Sequence, residues 1–314
     1  SHSCVYTKFT MNWNWMNELP QHLKDAPLMS LAIPGSHDSC AFNLNKNGPL
    51  APDESKYFEP FKGVVYNWSI TQELPIMDQL NIGIRYFDLR IAPKPDSEDL
   101  YFVHGLYGPA VQSVLENINQ FLNYHPSEVV ILDFNHLLEF KDEACHRKLI
   151  GMITSIFAGK LCPRQPTLAN VTLTNLNNKS QQVIALYKYP VPNNLLWNQL
   201  YIKSPWLNKQ NSTEVIKLLK ENIKNKPSDV LYVSQGILTP DTMTIVGGLC
   251  SNLLNWEAGL NHKVMTWLDS KPDVNIIIID DCNQEFADKV IAINNQIMRG
   301  EVSNDHNSKM GKDG

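Results

Sequence analysis

The chain has 314 residues, 43% of them hydrophobic, and a formal net charge of −5. This composition supports a sizeable core and argues against wholesale disorder, and the length suits one large domain or two small ones. The lysines and arginines are scattered, which argues against nucleic acid as a partner, because proteins that bind it carry a basic stripe. No run reaches the roughly 18 apolar residues of a membrane-spanning helix, so no transmembrane segment is predicted.

Short apolar runs rich in β-branched and aromatic residues follow one another along the chain and are typical of buried parallel strands. These predicted strands are MSLAI (29–33), IRYFDLRIA (84–92), LYFVH (100–104), EVVILDF (128–134), QVIALYKY (182–189), VLYVSQGIL (230–238) and VNIIIID (274–280). Helical patterns alternate with them over 71–81, 111–125, 141–157, 212–225, 257–269 and 283–298.

This alternation predicts an α/β fold, which a barrel and an open doubly wound sheet satisfy equally well. Neither GxGxxG nor GxxxxGK[ST] is present, so the nucleotide-binding open sheets lose support. Long loops or short irregular elements are expected in the stretches rich in Asn, Pro and Lys, which are 40–66, 158–181 and 190–211.

Polar side chains stand at the end of each predicted strand. In an α/β barrel the loops that follow the strands build the active site, so these side chains should converge. The residues concerned are His37, Asp38, Asp88, Arg90, His104, Asp133, Asn135, His136, Lys188, Ser234, Gln235, Asp280 and Asp281.

Ordinary structural roles compete with this interpretation. A single histidine is more often a hydrogen-bonded core or surface residue than a catalytic one, and Asp38 suits a turn. Arg90 lies two residues from Asp88, so the two side chains share a strand face and could simply pair. Asp281 should point away from Asp280, because side chains alternate along a strand.

Six cysteines are dispersed without a CxxC pair, which makes a cysteine-based zinc site improbable and favours free thiols over disulfides. We expect a cytoplasmic protein peripheral to membranes. Secretion is the alternative, because glycosylation sequons begin at Asn67, Asn170, Asn178 and Asn211.

Six strings in a fixed order resemble the X domain of phosphatidylinositol-specific phospholipase C, most closely the eukaryotic X-domain proteins that have no Y domain. They are LAIPGSHDS, WSITQ, LNIGIRYFDLRIA, LYFVHGLYG, HPSEVVILDFNH and NIIIIDD. The resemblance covers residues 12–298 and implies one distorted (β/α) barrel, between an N-terminal extension (1–11) and a flexible tail (299–314).

The resemblance also implies a mechanism based on two histidines. His37 matches the general base that deprotonates the inositol 2-hydroxyl, and His104 matches the general acid that protonates the departing diacylglycerol oxygen. Asp280 matches the carboxylate that orients the base, Asp38 the one paired with the acid, and Asp88 a residue of the phosphate site. Imidazole suits both roles because it titrates near neutral pH.

A cation must meet the charge that develops on phosphorus. The animal signalling phospholipases C of this family bind calcium through acidic side chains, where this chain has Arg90 and Asn135. Calcium requires six to eight oxygen ligands, so calcium is disfavoured and no cofactor is expected. The bacterial members use an arginine in the matching place, which makes Arg90 the candidate cation.

Lys188 and Gln235 match positions that contact inositol or its phosphate, whereas Ile237 replaces a tyrosine of the bacterial pattern. The implied partner is phosphatidylinositol or a related inositol lipid in a membrane. Three alternatives remain: a non-enzymatic inositol-lipid-binding module, a magnesium-dependent glycerophosphodiesterase- or sphingomyelinase-like barrel, and a structural or interaction protein.

Overall fold

A computed structural model describes residues 11–247 and 252–307, with side chains described up to residue 295. Its strands are β1 (Ile33–Ser36), β2 (Tyr86–Pro93), β3 (Leu100–His104), β4 (Leu106–Ala110), β5 (Val130–Leu137), β6 (Val183–Tyr187), β7 (Ile202–Lys203), β8 (Leu231–Gly236) and β9 (Ile276–Ile279).

Helices alternate with the strands, as the sequence pattern predicts. They are α1 (Gln21–Lys24), α2 (Lys62–Ser69), α3 (Ile76–Ile82), α4 (Val111–Tyr124), α5 (Glu143–Ile156), α6 (Leu173–Asn178), α7 (Ser212–Lys224), α8 (Thr242–Val246), α9 (Leu253–Asp269) and α10 (Gln284–Asn307). Short 3₁₀ helices lie at Leu28–Ser30, Lys56–Phe61 and Gln199–Tyr201. Within the described residues, no helix is both long and apolar enough to cross a bilayer.

Parallel strands form an irregular barrel in the order β6-β5-β2-β1-β9-β8-β7. Beyond β6 the next contact is an isolated bridge from Leu186 to Trp197, a few residues before β7 begins. The predicted distorted (β/α) barrel is therefore confirmed. The predicted extension, barrel limits and tail stay predictions; residues 1–10 and 308–314 lie outside the described residues, and α10 continues to Asn307.

Alternation along the strands separates two apolar layers. Ile276 and Ile278 pack in one cluster with Tyr86, whereas Ile277 and Ile279 pack in the other, against the surrounding helices. Side chains two residues apart along a strand share a face. A polar residue two positions after an inward-facing apolar residue therefore also faces inward, at the barrel mouth.

The predicted first strand is wrong in its position. Residues 28–30 form a 3₁₀ turn, and β1 begins at Ile33. The Asn275 side chain donates hydrogen bonds to the carbonyl oxygens of Leu28 (3.0 Å) and Leu31 (2.8 Å), which fixes the turn. The apolar run 29–33 therefore reflects burial at the base of the barrel rather than strand pairing.

The third predicted strand is also different from expectation, because β3 is antiparallel to β2 and continues into β4 as a hairpin. Only residues 94–99 separate β2 from β3, which is too short for the crossover that a parallel neighbour requires. The strands β4 and β7 were not predicted: LYGPA contains Gly and Pro, and β7 has only two residues.

Cys40, Cys145, Cys162 and Cys282 are free thiols, whereas Cys4 and Cys250 lie outside the described residues. The thiols of Cys40 and Cys282 are buried, and burial raises their pKa values far from the reactive range.

A buried ion pair closes the base of the barrel. Arg85 contacts Glu128 (3.1 Å) with both side chains fully buried, and its Nη2 donates to the carbonyl oxygens of Asn12 (3.0 Å) and Trp13 (2.9 Å). Glu128 in turn accepts from the backbone N–H of Asn17 at 3.0 Å. The pair thus fixes the N-terminal segment against β2 and β5.

We expect Glu128→Ala to lower the free energy of unfolding by about 3–5 kcal/mol, because it leaves the Arg85 charge buried and unpaired. Urea unfolding followed by circular dichroism measures the loss. Glu116→Ala, at an exposed position of α4, is the control and should change it by less than about 0.5 kcal/mol. Equal effects of the two substitutions would contradict the structural role of the pair.

Candidate active site

A cavity of about 850 Å³ opens at the carboxyl ends of the parallel strands. Its size is that of a small-molecule pocket. The residues predicted from sequence that line it are His37, Asp88, Arg90, His104, Asp133, Asn135, His136, Lys188, Gln235 and Asp280. Asp38 is buried directly behind this surface.

Backbone contacts between β1, β9 and the segment after α2 fix the position of His37. Its N–H donates to the Ile279 carbonyl oxygen (3.1 Å), and the Gln72 side chain donates to the carbonyl oxygens of His37 (2.9 Å) and Ile279 (3.0 Å). The two strand ends, and the residues that follow them, are therefore held in register.

The imidazole of His37 is bound at both nitrogens. Its Nδ1 lies 2.6 Å from Asp280 Oδ1, and its Nε2 lies 3.0 Å from Nη2 of Arg90. Because a carboxylate accepts and a guanidinium donates, Nδ1 carries the proton and Nε2 presents its lone pair. This is the tautomer that a general base facing the cavity requires.

Burial opposes the imidazolium form of His37, but the charge and hydrogen bond of Asp280 outweigh burial and raise the pKa of His37. Burial likewise opposes ionisation of Asp280, yet His37 holds the pKa of this carboxyl below its ordinary value. The pair therefore favours a carboxylate beside an imidazole that can accept a proton.

His104 contacts the Asp38 carboxylate that the resemblance implied and, more closely, a backbone carbonyl oxygen. Its Nδ1 donates to the carbonyl oxygen of Ser69 at 2.6 Å, while Asp38 Oδ2 lies 3.4 Å away without hydrogen-bond geometry. The backbone carbonyl therefore sets the tautomer, and Asp38 contributes charge from close range. The next residue, Gly105 (φ +66°), has its N–H bound by the carboxylate of Asp53 at 3.0 Å.

Arg90 connects the two histidine regions. Its Nη2 donates to Asp88 Oδ2 at 3.2 Å, and its Nε lies 3.8 Å from Asp38 Oδ2. Asp88 also accepts from the Asn135 amide (2.9 Å) and from the Asp38 N–H (2.8 Å). Despite burial, Arg90 lowers the pKa of Asp88, so this carboxyl stays ionised.

The pKa of Asp38 shifts in the opposite direction from that of Asp88. Burial raises its pKa, although His104 and Arg90 counteract the shift. The residue adopts a left-handed backbone conformation (φ +39°), which aspartate tolerates better than most residues. This conformation turns its N–H toward Asp88 and its carboxylate toward His104.

The Asp88 and Asp280 carboxylates are already bound by other side chains. In the described part of the chain, no group of three or more His, Cys, Asp or Glu side chains is arranged to hold a metal ion. The Asp88 oxygens are occupied by Arg90, Asn135 and a backbone N–H. Calcium needs six to eight oxygen ligands, and this donor set does not fit it.

Lys188 and Gln235 stand at the ends of β6 and β8 and also line the cavity. Lys188 is exposed at the cavity edge, and Gln235 donates to Ser204 Oγ at 2.8 Å. Ile237 is buried and lines the cavity where the bacterial pattern has a tyrosine. This wall therefore offers one cation and one amide, but no aromatic ring from residue 237.

The cavity also holds a polar pair of which the sequence predicted one member, Asp133, and missed the other, Tyr86. The Tyr86 hydroxyl donates to Asp133 Oδ2 at 2.5 Å, and burial raises the pKa of Asp133 to about 6. Strand alternation provided a signal, since Asp133 and Tyr86 each lie two residues before an assigned residue, Asn135 and Asp88. No comparable signal pointed to Asp53, which lies in a long loop.

Exposed apolar side chains surround the cavity entrance. Val64 and Trp206 line the cavity and are 42% and 63% exposed. Further exposed apolar residues on the neighbouring segments are Tyr57, Phe61, Met243 and Val246. An apolar rim around a polar cavity suits a ligand with a polar head and an apolar body.

The fold and this site define the class of protein as an irregular (β/α) barrel with the imidazoles of His37 and His104 and the guanidinium of Arg90 at its mouth. Residues 65–189 match the family described as phosphatidylinositol-specific phospholipase C, X domain. The chain is 38% identical over 300 residues to mouse PI-PLC X domain-containing protein 2, covering 90% of this chain and 88% of that protein.

Mouse PI-PLC X domain-containing protein 3 is 35% identical over 310 residues, covering 92% of this chain and 96% of the relative. The chain belongs to this PI-PLC X domain family. In fold it is similar to phosphatidylinositol-specific phospholipase C from Listeria monocytogenes, with TM-score 0.63 and 19% identity over 90% of this chain and 98% of that one.

The raised pKa of Asp133 predicts a pH-dependent stability. The folded protein keeps this proton up to about pH 6, whereas the unfolded chain releases it near the ordinary value of 3.8. The contribution of Asp133 to the free energy of unfolding is therefore fully present below about pH 4 and is lost as the pH rises through about 6. The total loss is about 3 kcal/mol.

Relative to the parent protein, Asp133→Asn should thus gain about 2 kcal/mol in the free energy of unfolding between pH 4 and pH 7, since asparagine has no proton to lose. Guanidinium unfolding at several pH values measures the difference. The exposed Asp99→Asn is the control and should show a flat difference. A flat difference for Asp133→Asn would show that this carboxyl ionises normally in the fold.

Proposed function

We propose that the protein is a metal-independent phosphatidylinositol phospholipase C. The observation that carries the proposal is the pair of imidazoles on one cavity, His37 and His104, each with Nδ1 bound to an acceptor. Arg90 contacts His37 and lies beside the Asp38 carboxylate that faces His104. This arrangement suits in-line transfer at phosphorus between a base and an acid.

In the first step His37 Nε2 accepts the proton of the inositol 2-hydroxyl as that oxygen forms a bond to phosphorus. The bond from phosphorus to the glycerol oxygen breaks, and His104 donates a proton to this oxygen. The products are diacylglycerol and a cyclic inositol phosphate. In a second step His104 deprotonates water as the water oxygen forms a bond to phosphorus. The bond from phosphorus to the 2-oxygen breaks, and His37 returns its proton to that oxygen, which gives inositol phosphate.

Arg90 supplies the positive charge for the phosphate oxygens. The Arg90 N–H that donates to His37 Nε2 occupies the position that the substrate 2-hydroxyl would take. The guanidinium therefore already lies beside the place where the phosphate would react. The planar guanidinium of arginine can donate two parallel hydrogen bonds to a phosphate group. The ion pairs of Arg90 with Asp88 and Asp38 limit the movement of this side chain. Burial opposes the charge, but Asp88 raises the pKa of Arg90, so the guanidinium stays charged.

The head group is inositol with few or no added phosphates. Acidic side chains on the cavity wall, Asp53, Glu54 and Asp241, oppose further phosphates, while Lys188 is a cation at the edge. The apolar rim, which includes Val64 and Trp206, provides peripheral contact with the membrane. A cytoplasmic location, with secretion as the alternative, stays a prediction.

We expect His37→Ala and His104→Ala each to lower turnover of phosphatidylinositol by at least about 10²-fold, because each removes a proton-transfer group. Release of cyclic inositol phosphate from vesicles measures the effect. His22→Ala, on exposed α1, is the control and should be as active as the parent. Near-normal turnover in either site variant would remove that histidine from the mechanism. A parent protein that binds inositol lipid without cleaving it would instead be a binding module.

Metal independence predicts that turnover survives a strong chelator and that Arg90→Asp abolishes it, because the developing charge on phosphorus loses its cation. The assay is run with chelator and again with added calcium. Arg147→Asp, at an exposed position of α5, carries the same charge change as a control and should stay active. An Arg90→Asp variant that is active and indifferent to calcium would make Arg90 only structural.

A further inference from the structure

A second buried carboxyl group lies behind the His37–Asp280 pair. Glu257 belongs to α9 and is 1% exposed, and its Oε1 accepts the Leu238 N–H at 2.8 Å. This bond fixes the segment that leaves β8 on the cavity wall. One oxygen of Glu257 therefore has a structural role that any acceptor of the same shape could fill.

The other oxygen is unusual. Glu257 Oε2 is buried, and no described N–H or O–H donates to it. The carboxyl group contacts that of Asp280, and no described cationic side chain forms an ion pair with it. Two carboxylates in contact inside a protein cannot both be ionised, because neither solvent nor a cation offsets their repulsion.

The proton belongs to Glu257 rather than to Asp280. Asp280 has the His37 imidazole at 2.6 Å, which favours its charged form. Burial, followed by the charge of Asp280, raises the pKa of Glu257 well above the ordinary value for glutamate. A neutral Glu257 has one O–H, and the Asp280 carboxylate is the acceptor within reach.

We propose that Glu257 is a positioning residue, a protonated carboxylic acid that donates a hydrogen bond to Asp280 and so keeps this carboxylate charged and aimed at His37 Nδ1. One turn later on α9, the Asn261 amide donates to the Asp280 carbonyl oxygen at 2.9 Å. The helix thus holds both the backbone and the side chain at the end of β9. The role of Glu257 in turnover rests on the proposed function, whereas its protonation does not.

The sign of the effect on His37 separates a neutral Glu257 from a charged one. The described titratable and charged groups that interact with His37 are Asp280, Asp88, Arg90, Asp38 and His136, and Asp280 contacts Glu257. A neutral Glu257 directs the positive end of its O–H dipole toward Asp280. Removing this O–H should therefore favour the imidazolium form of His37. A charged Glu257 adds negative potential, so its loss should disfavour the imidazolium.

The matched variants are Glu257→Gln and Glu257→Leu. Glutamine offers one acceptor and one donor group, like a protonated carboxylic acid, whereas leucine offers neither. Ring resonances of His37, assigned by their loss in His37→Ala, are titrated by NMR in the full chain. Thermal unfolding verifies that each variant is folded, and Glu257→Met replaces the leucine variant if that variant does not fold.

We expect the pKa of His37 to stay within about 0.3 of the parent value in Glu257→Gln and to rise by about half a unit or more in Glu257→Leu. A fall in both variants would show that Glu257 is ionised and would overturn the proposal. An unchanged value in the leucine variant would also overturn it, because Asp280 would then not depend on Glu257.

Turnover of phosphatidylinositol provides a second readout. Glu257→Leu should lower kcat by about tenfold with little change in KM, and Glu257→Gln should restore it, as expected for a group that orients a site histidine. If the parent protein shows no turnover, the proposed function fails, while the NMR titration still decides the state of Glu257. A leucine variant with full kcat would remove Glu257 from the orientation of the base.

Discussion

The guanidinium of Arg90 is the charge on which the barrel mouth depends. Asp38, Asp88 and Asp280 all lie around this cavity, each almost completely buried. Carboxylates packed this closely would repel one another and take up protons, but Arg90 contacts Asp88 and Asp38 and donates to His37, which pairs with Asp280. One cation therefore balances a group of acids and leaves His37 as the basic site at the centre.

The architecture supplies this arrangement through strand alternation and a few side chains that cross-link the loops. Tyr86, Asp88 and Arg90 share one face of β2, which points into the barrel. The same strand face therefore contributes to the barrel interior and supplies the site residues Asp88 and Arg90. Gln72 donates to the ends of β1 and β9 and accepts from the Cys282 N–H (3.0 Å), while Thr71 contacts Asp38. These residues follow α2, so the segment that carries the apolar rim also fixes the position of the histidine.

Much of this organisation could be predicted from sequence, because the apolar runs and the polar residues after them follow directly from burial and alternation. The same reasoning misplaced the first strand, since apolar residues at 28–31 bury at the barrel base in a turn as readily as in a strand. It also placed His104 on a parallel strand, although this residue ends the antiparallel β3. Asp53 and Glu257 could not be found, because each acts through contacts that only the folded chain creates.

The contacts around the two histidines are distributed unevenly along the chain. Those of His104 come from residues 38–105, an almost continuous stretch, whereas His37 receives its carboxylate from Asp280 at the end of β9. A growing polypeptide on the ribosome therefore cannot complete the surroundings of His37 until β9 has been synthesised. Any fragment that ends before β9 lacks the Asp280 carboxylate, so the base acquires its hydrogen-bond partner only late in translation.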